Sequence, residues 1–254
     1  MDWQDWLAAT RLAVREAKRL TGNDVPLHIV GFSNGGALAM KYSLDALDNA
    51  ELAKPQRVIL ISPMIGITSF ARFSGLAGWP AFLPAFSKAA WLNIMPEFNP
   101  FKYNSFPTNA ARQSFLLTKA LQKQIVTDSR NHRINSLPPV LTFQSVVDST
   151  VSTRAIVTAL YNRLPENGSE IVLFDLNHAV RFNSLLRRTS YTALARLLPA
   201  PPRAYQTTII TNANSASTDM EIRTTPAGKT DTTVEKLQGM RYLPDVYSLS
   251  HVAL

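Results

Sequence analysis

The chain has 254 residues, enough for one large domain with a sizeable core of its own. Hydrophobic residues make up 46% and charged residues 17% of it, with mean hydropathy near zero, which excludes a disordered or fibrous chain. The absence of cysteine removes disulfides, thiolate nucleophiles and Cys-based metal centres, and the net charge of +8 leaves peripheral contact with an anionic membrane surface open. Nucleic acid is set aside, because no aromatic-and-basic stripe or known binding module accompanies the charge.

Residues 3–20 place Trp3, Trp6, Leu7, Val14 and Leu20 at helical spacing, with Arg11, Arg15, Lys18 and Arg19 interspersed. That spacing predicts an amphipathic helix, not an export signal. Val25–Val30 reads as a short buried strand, and it runs straight into Gly31-Phe32-Ser33-Asn34-Gly35-Gly36 and the helix-forming run Ala37–Tyr42. Strand, sharp turn and helix around G-x-S-x-G form a nucleophile elbow. The turn lifts Ser33 onto a strained backbone, and Gly31 and Gly35 remove the Cβ atoms that would crowd one another. A phosphate cradle is the competing reading, but the P-loop lysine and a G-x-G-x-x-G run are both missing.

A serine hydroxyl at its ordinary pKa is a poor nucleophile and needs a base. Of the four histidines, His28 lies inside the strand before the elbow and reads as a packing residue. His132, in a polar stretch ahead of Pro138-Pro139, reads as a solvated surface residue. His178 and His251 remain. The orienting acid is expected at Asp148, just past the strand Pro139–Val146, where open α/β sheets carry their functional loops. Asp175 is a second candidate, and the plain role for Asp148 is to cap a helix at about Ser152–Leu164. Nucleophile, acid and histidine then follow in the order Ser33, Asp148, His, which is that of the α/β-hydrolases. By spacing, His178 fits best, two residues after the strand Glu170–Leu176. His251 stands near the end of a run that also reads as strand.

Residues 63–138 form a long insert holding eleven of the chain's 23 aromatics, broken into short pieces by Pro80, Pro84, Pro96, Pro100 and Pro107. A helical cap with apolar walls fits this pattern. No run reaches the length of about 20 apolar residues that a spanning helix needs. Beyond the helix expected at Leu185–Leu198, Thr207–Thr211 reads as a strand, and 203–233 as a polar, loop-rich insertion.

The segments WQDW with RLAVRE, GFSNGGALAMKYSLDAL, VILISPMIG, PEFNPFKYNSFPTNAARQSF, LPPVLTFQSVVDSTVST and YSLSHVAL together resemble a bacterial α/β-hydrolase of the serine aminopeptidase type. That branch includes lysophospholipase-like and monoacylglycerol-lipase-like enzymes. The resemblance runs along most of the chain. It implies an α/β-hydrolase fold, a mostly parallel sheet flanked by helices, with a partial core from 1–62 and 139–254, a cap from 63–138, and truncation at both ends that removes the first strands. It implies hydrolysis of a small-molecule carboxylic ester or lipid-like substrate, of lysophospholipid or monoacylglycerol type, or of an amide, through an acyl-enzyme, with no cofactor and no metal. It favours His251 over His178 as the base, with residues 180–245 inserted before it. The Asn34 backbone N–H is the implied oxyanion donor. A second donor is implied from an HG-type loop, yet no His-Gly dipeptide occurs. The alternative expectation is therefore an inactive fragment or non-catalytic binding protein on the same scaffold.

Overall fold

A computed structural model describes residues 1–22, 24–66, 91–93, 105–148, 150–179, 193–243 and 246–248. Helix α1 (Trp3–Thr21) starts where the Asp2 N–H donates to Asp5 Oδ2 at 2.8 Å, and it stops at Gly22, whose φ of 91° suits a residue without Cβ. Strand β1 (His28–Phe32) turns directly into α2 (Asn34–Asp48), and β2 (Arg57–Ile61) follows. A short antiparallel pair, β3 (Trp91–Asn93) and β4 (Phe106–Pro107), precedes α3 (Thr108–Arg130). After β5 (Val140–Ser145) comes a mixed helix: one α turn Thr153–Ala155, a π segment Ile156–Leu160 and a 3-10 turn Tyr161–Arg163. The remaining elements are β6 (Glu170–Phe174), α4 (Ala193–Leu197), β7 (Gln206–Asn212), β8 (Asp219–Thr225) and β9 (Thr233–Arg241).

Seven strands make one sheet in the order β1-β2-β5-β6-β7-β8-β9, parallel from β1 to β7 and antiparallel over β8 and β9. The parallel strands climb in one direction, so right-handed crossovers put successive helices on the same face. Met40 and Leu44 of α2, Leu121 and Ile125 of α3, and Ile156 and Leu160 of the mixed helix bury there against Val58, Leu60, Val140 and Leu173. Phe32 and Ile61, register partners that share the opposite face, stay 50% and 39% exposed, and Val30 beside them 62%.

Several expectations need correcting. The first strand begins at His28, not Val25, and it is the edge of the described sheet, so His28 is exposed instead of packed. Helix α3 lies within the stretch assigned to a cap, but it packs beside α2 in the main core, because Leu117, Leu121 and Ile125 fall on one helical stripe. The pair β3–β4 adds strand to the same stretch. Its residues 67–90 and 94–104 lie outside the described residues. Within 203–233 the expected strand Thr207–Thr211 is present as β7, and the polar, loop-rich stretch after it is corrected most: it holds β8 and leads into β9. Threonine favours the pleat, and here its hydroxyls find partners on neighbouring strands and turns. Thr208 donates to Glu170 Oε1 at 2.6 Å, Thr211 to Asp175 Oδ2 at 3.0 Å, and Thr225 shares a 2.8 Å hydrogen bond with Thr232.

Asp45 of α2 ties three helices together, accepting from Arg11 of α1 at 2.7 Å, from Lys41, and from Gln124 of α3 at 3.1 Å. Burial pushes its carboxyl up, but the hydrogen bonds from Lys41 and Arg11 outweigh that and leave it below the usual carboxylate range. A depressed folded-state value means that the stabilisation is full above the unfolded value of about 3.9 and is lost as pH falls through the folded one. Asp45→Asn is expected to cost about 1–2 kcal/mol at neutral pH. Urea unfolding should show the deficit shrinking once the solution is more acidic than the unfolded carboxyl.

Candidate active site

The turn between β1 and α2 is tightly constrained backbone. Ser33 sits at φ 52° and ψ −117°, a positive φ that a residue with a side chain rarely adopts. Three hydrogen bonds hold it there: the Ser33 N–H donates to Ile61 O at 2.9 Å, and its carbonyl accepts from Gly36 N at 3.0 Å and Met64 N at 2.9 Å. The chain can bend this tightly only where side chains are missing. A Cβ on Gly31 would lie 2.6 Å from Gly35 O and 2.7 Å from Gly36 Cα. A Cβ on Gly36 would lie 2.6 Å from Pro63 Cβ. Gly35 has nothing within 4 Å of its missing Cβ, which corrects the expectation that Gly31 and Gly35 relieve each other: the crowded pair is Gly31 and Gly36. The doubled glycine in Ser-Asn-Gly-Gly was the signal for this.

Ser33 is partly exposed and precedes the first turn of α2. That turn directs N–H groups without intrahelical acceptors, Asn34's among them, and the positive end of the helix dipole toward the serine. The Asn34 side-chain Oδ1 is buried with no hydrogen-bond partner.

Asp148 lies three residues past β5, two strand spacings or about 10 Å across the sheet from the end of β1. Its Oδ1 accepts from the backbone N–H of Thr150 at 2.8 Å and Val151 at 2.9 Å, and Gln144 Nε2 donates to Oδ2 at 3.3 Å. The helix that follows is capped by Ser152, whose hydroxyl accepts from Ala155 N at 3.2 Å, so Asp148 does not serve as its cap.

His178 sits past the end of β6, and its Nε2 lies 3.2 Å from Asp175 Oδ2. Asp175 is 7% exposed. Burial pushes its carboxyl up, but the hydrogen bond from His178, the Leu176 N–H and the Thr211 hydroxyl together hold it below its ordinary value. The structure therefore pairs His178 with the second acid candidate. His132 is exposed at the end of α3, as expected. His251 lies outside the described residues. The nearest described segment, Val246–Ser248, is not a strand as expected, and it lies against Asn177 in the loop after β6. Among the described residues, no three His, Asp or Glu side chains converge to hold a metal ion, and no helix is long and apolar enough to cross a membrane.

The chain matches the structure of a metagenome-derived lipolytic enzyme described with LipS and LipT at a TM-score of 0.50 and 17% identity, over 78% of this chain and 74% of that one. The fold is that of an α/β-hydrolase. A soluble variant of monoglyceride lipase from Saccharomyces cerevisiae, in complex with a substrate analog, matches at a TM-score of 0.44 and 14% identity over 67% of this chain. This chain spans 58% of that lipase's length. No protein-family model matches, and none of the curated proteins does.

Proposed function

We propose that this α/β-hydrolase chain is the catalytic part of a serine hydrolase that cleaves carboxylic esters through an acyl-enzyme. The observation that carries the reading is the backbone of Ser33, forced to positive φ at the C-terminal end of a parallel strand and locked by three hydrogen bonds. Such strain is retained where it serves a function. In this reading Ser33 Oγ attacks the ester carbonyl while an imidazole accepts its proton. The oxyanion forms beside the Asn34 N–H and the α2 N-terminus. The imidazole then protonates the departing alcohol, and water releases the acyl group by the same steps.

His251 is the base in this reading and Asp148 its orienting acid. Two facts support the choice: His178 Nε2 is already engaged by Asp175, and the segment three residues short of His251 passes the same end of the sheet as Asp148. A second reading, with His178 as base and Asp175 behind it, draws on their 3.2 Å pairing. The aromatic-rich stretch 63–138 and the resemblance seen in the sequence favour substrates with an apolar acyl chain, of the monoacylglycerol or lysophospholipid type. The Asn34 N–H is the oxyanion donor of this reading, and loss of a donor lowers turnover by about 10²–10³-fold.

Reaction of the full chain with a fluorophosphonate tests the reading without relying on turnover. The expected result is one adduct per chain, mapped by peptide mass to Ser33. No adduct, or an adduct elsewhere, would leave the binding-protein alternative standing.

A further inference from the structure

The loop after β2, residues 62–66, has no role in the chemistry proposed above, yet it touches the nucleophile's backbone. Phe32 and Ile61 are register partners, so Ser33 and Ser62 leave the sheet side by side. Both take positive φ, 52° and 44°. Such strain persists only where the surroundings over-determine it. The Met64 N–H donates to the Ser33 carbonyl at 2.9 Å, and Pro63 fills the space that a Cβ on Gly36 would need.

Three neighbours hold this loop in turn. From β5, Phe143 O accepts the Ser62 N–H at 2.9 Å, and just before the mixed helix the Ser152 N–H donates to Gly66 O at 3.1 Å. Helix α3 supplies the third hold: Thr118 Oγ1 donates to Met64 O at 3.0 Å, and Gln122 Nε2 to Ile65 O at 2.8 Å. Thr118 and Gln122 stand one helical turn apart, so they face the loop together. Thr118 is 4% exposed, and Ile65 is fully buried. Polar groups this close to the core are costly to leave unpaired, so the two side chains leave the loop little slack.

We propose that Thr118 and Gln122 are positioning residues for ester hydrolysis, and that through the loop they aim the oxyanion donor. The link is the geometry of one peptide bond. The Ser33 carbonyl and the Asn34 N–H belong to the same planar trans unit and point in opposite directions. Whatever fixes the carbonyl therefore fixes the N–H. Thr118 and Gln122 hold the loop, and its Met64 N–H holds the Ser33 carbonyl. The carbonyl's other donor, Gly36, packs on Pro63 of the same loop. This rests on the reading of Ser33 as nucleophile and the Asn34 N–H as its oxyanion donor. Such a donor is worth about 10²–10³-fold in turnover, so one turned partly aside forfeits a fraction of that.

The test uses the full chain and a fluorophosphonate at varied concentration. Thr118→Val and Gln122→Met keep the shape but lose the donor. Each is expected to lower the limiting rate of Ser33 modification about 10-fold, with the half-saturating probe concentration unchanged. Thr118→Ser keeps the hydroxyl and should react at close to the wild-type rate, a rescue that a packing role would not give. Asn167→Ala is the control for lost stability. Asn167 donates to Leu137 O at 2.9 Å at the opposite end of the strands, so this variant should melt lower and react normally. A second readout needs no reaction: the Met64 N–H should exchange faster with solvent in Thr118→Val and Gln122→Met, and at the wild-type rate in Thr118→Ser. An equal loss of rate in Thr118→Ser and Thr118→Val overturns the proposal, as does a loss confined to half-saturation or a Met64 N–H indifferent to both donors. A wild-type chain that takes no probe at Ser33 fails the hydrolase reading, and this role falls with it. A wild-type chain that is modified at Ser33, with Thr118→Val and Gln122→Met matching its limiting rate, fails this proposal alone.

Discussion

His251→Ala is expected to slow fluorophosphonate modification of Ser33 by about 10²–10⁴-fold, the range that a positioned general base contributes. His178→Ala should slow it less than about 10-fold and lower the melting temperature, because Asp175 would be left buried without its imidazole partner. Asp148→Asn should fall with His251→Ala, not with His178→Ala, since a base and its orienting carboxylate act as one unit. Stopped-flow or timed mass spectrometry on the three variants separates the two histidines. A large loss in His178→Ala, joined by Asp175→Asn, would transfer the role to the 3.2 Å pair that the structure displays.

Gly31→Ala is the second large effect. Its new Cβ would meet backbone on two sides at 2.6 and 2.7 Å, and backbone cannot yield as a flexible side chain does. The elbow would have to open, at a cost of about 3 kcal/mol, or about 6–12 °C in melting temperature. Modification of Ser33 should be lost with it. Gly36→Ala meets Pro63 at 2.6 Å and should behave in the same direction. Gly35→Ala goes the other way. With open space around it and a place in the first turn of α2, it should be tolerated or gain up to about 1 kcal/mol. Thermal melts of the three alanine variants decide which glycines the elbow needs, and equal destabilisation at 31 and 35 would contradict the geometry.

The elbow was legible because its determinants are local: a strand, a serine and glycines within six residues. The strands Arg57–Ile61 and Val140–Ser145 were equally plain, since apolar runs between turn residues leave few alternatives. The hairpin of β8 and β9 was not. Its threonines and charges read as loop, and only the long-range pairing with β7, which satisfies them, makes them strand. The role of α3 was hidden for a similar reason, because prolines upstream suggested a separate lid, while the stripe Leu117, Leu121, Ile125 found its partners in α2. Of the candidate site residues, Asp148 stands just past a strand as its sequence position suggested and the Asp175–His178 pair lies only three residues apart, but the hydrogen bonds that join Asn177 to Asn212 and Val246 span 35 and 69 residues, which no short motif encodes.

The described helices that bury against the parallel strands share one side of the sheet, and Val30, Phe32 and Ile61 lie exposed on the other. Repulsion between molecules of charge +8 should hold those oily patches apart in dilute buffer, and added electrolyte weakens such repulsion over distances of about 10 Å. Purified material should thus turn cloudy as ionic strength climbs, the opposite of ordinary salting-in, and low-salt handling is the practical corollary.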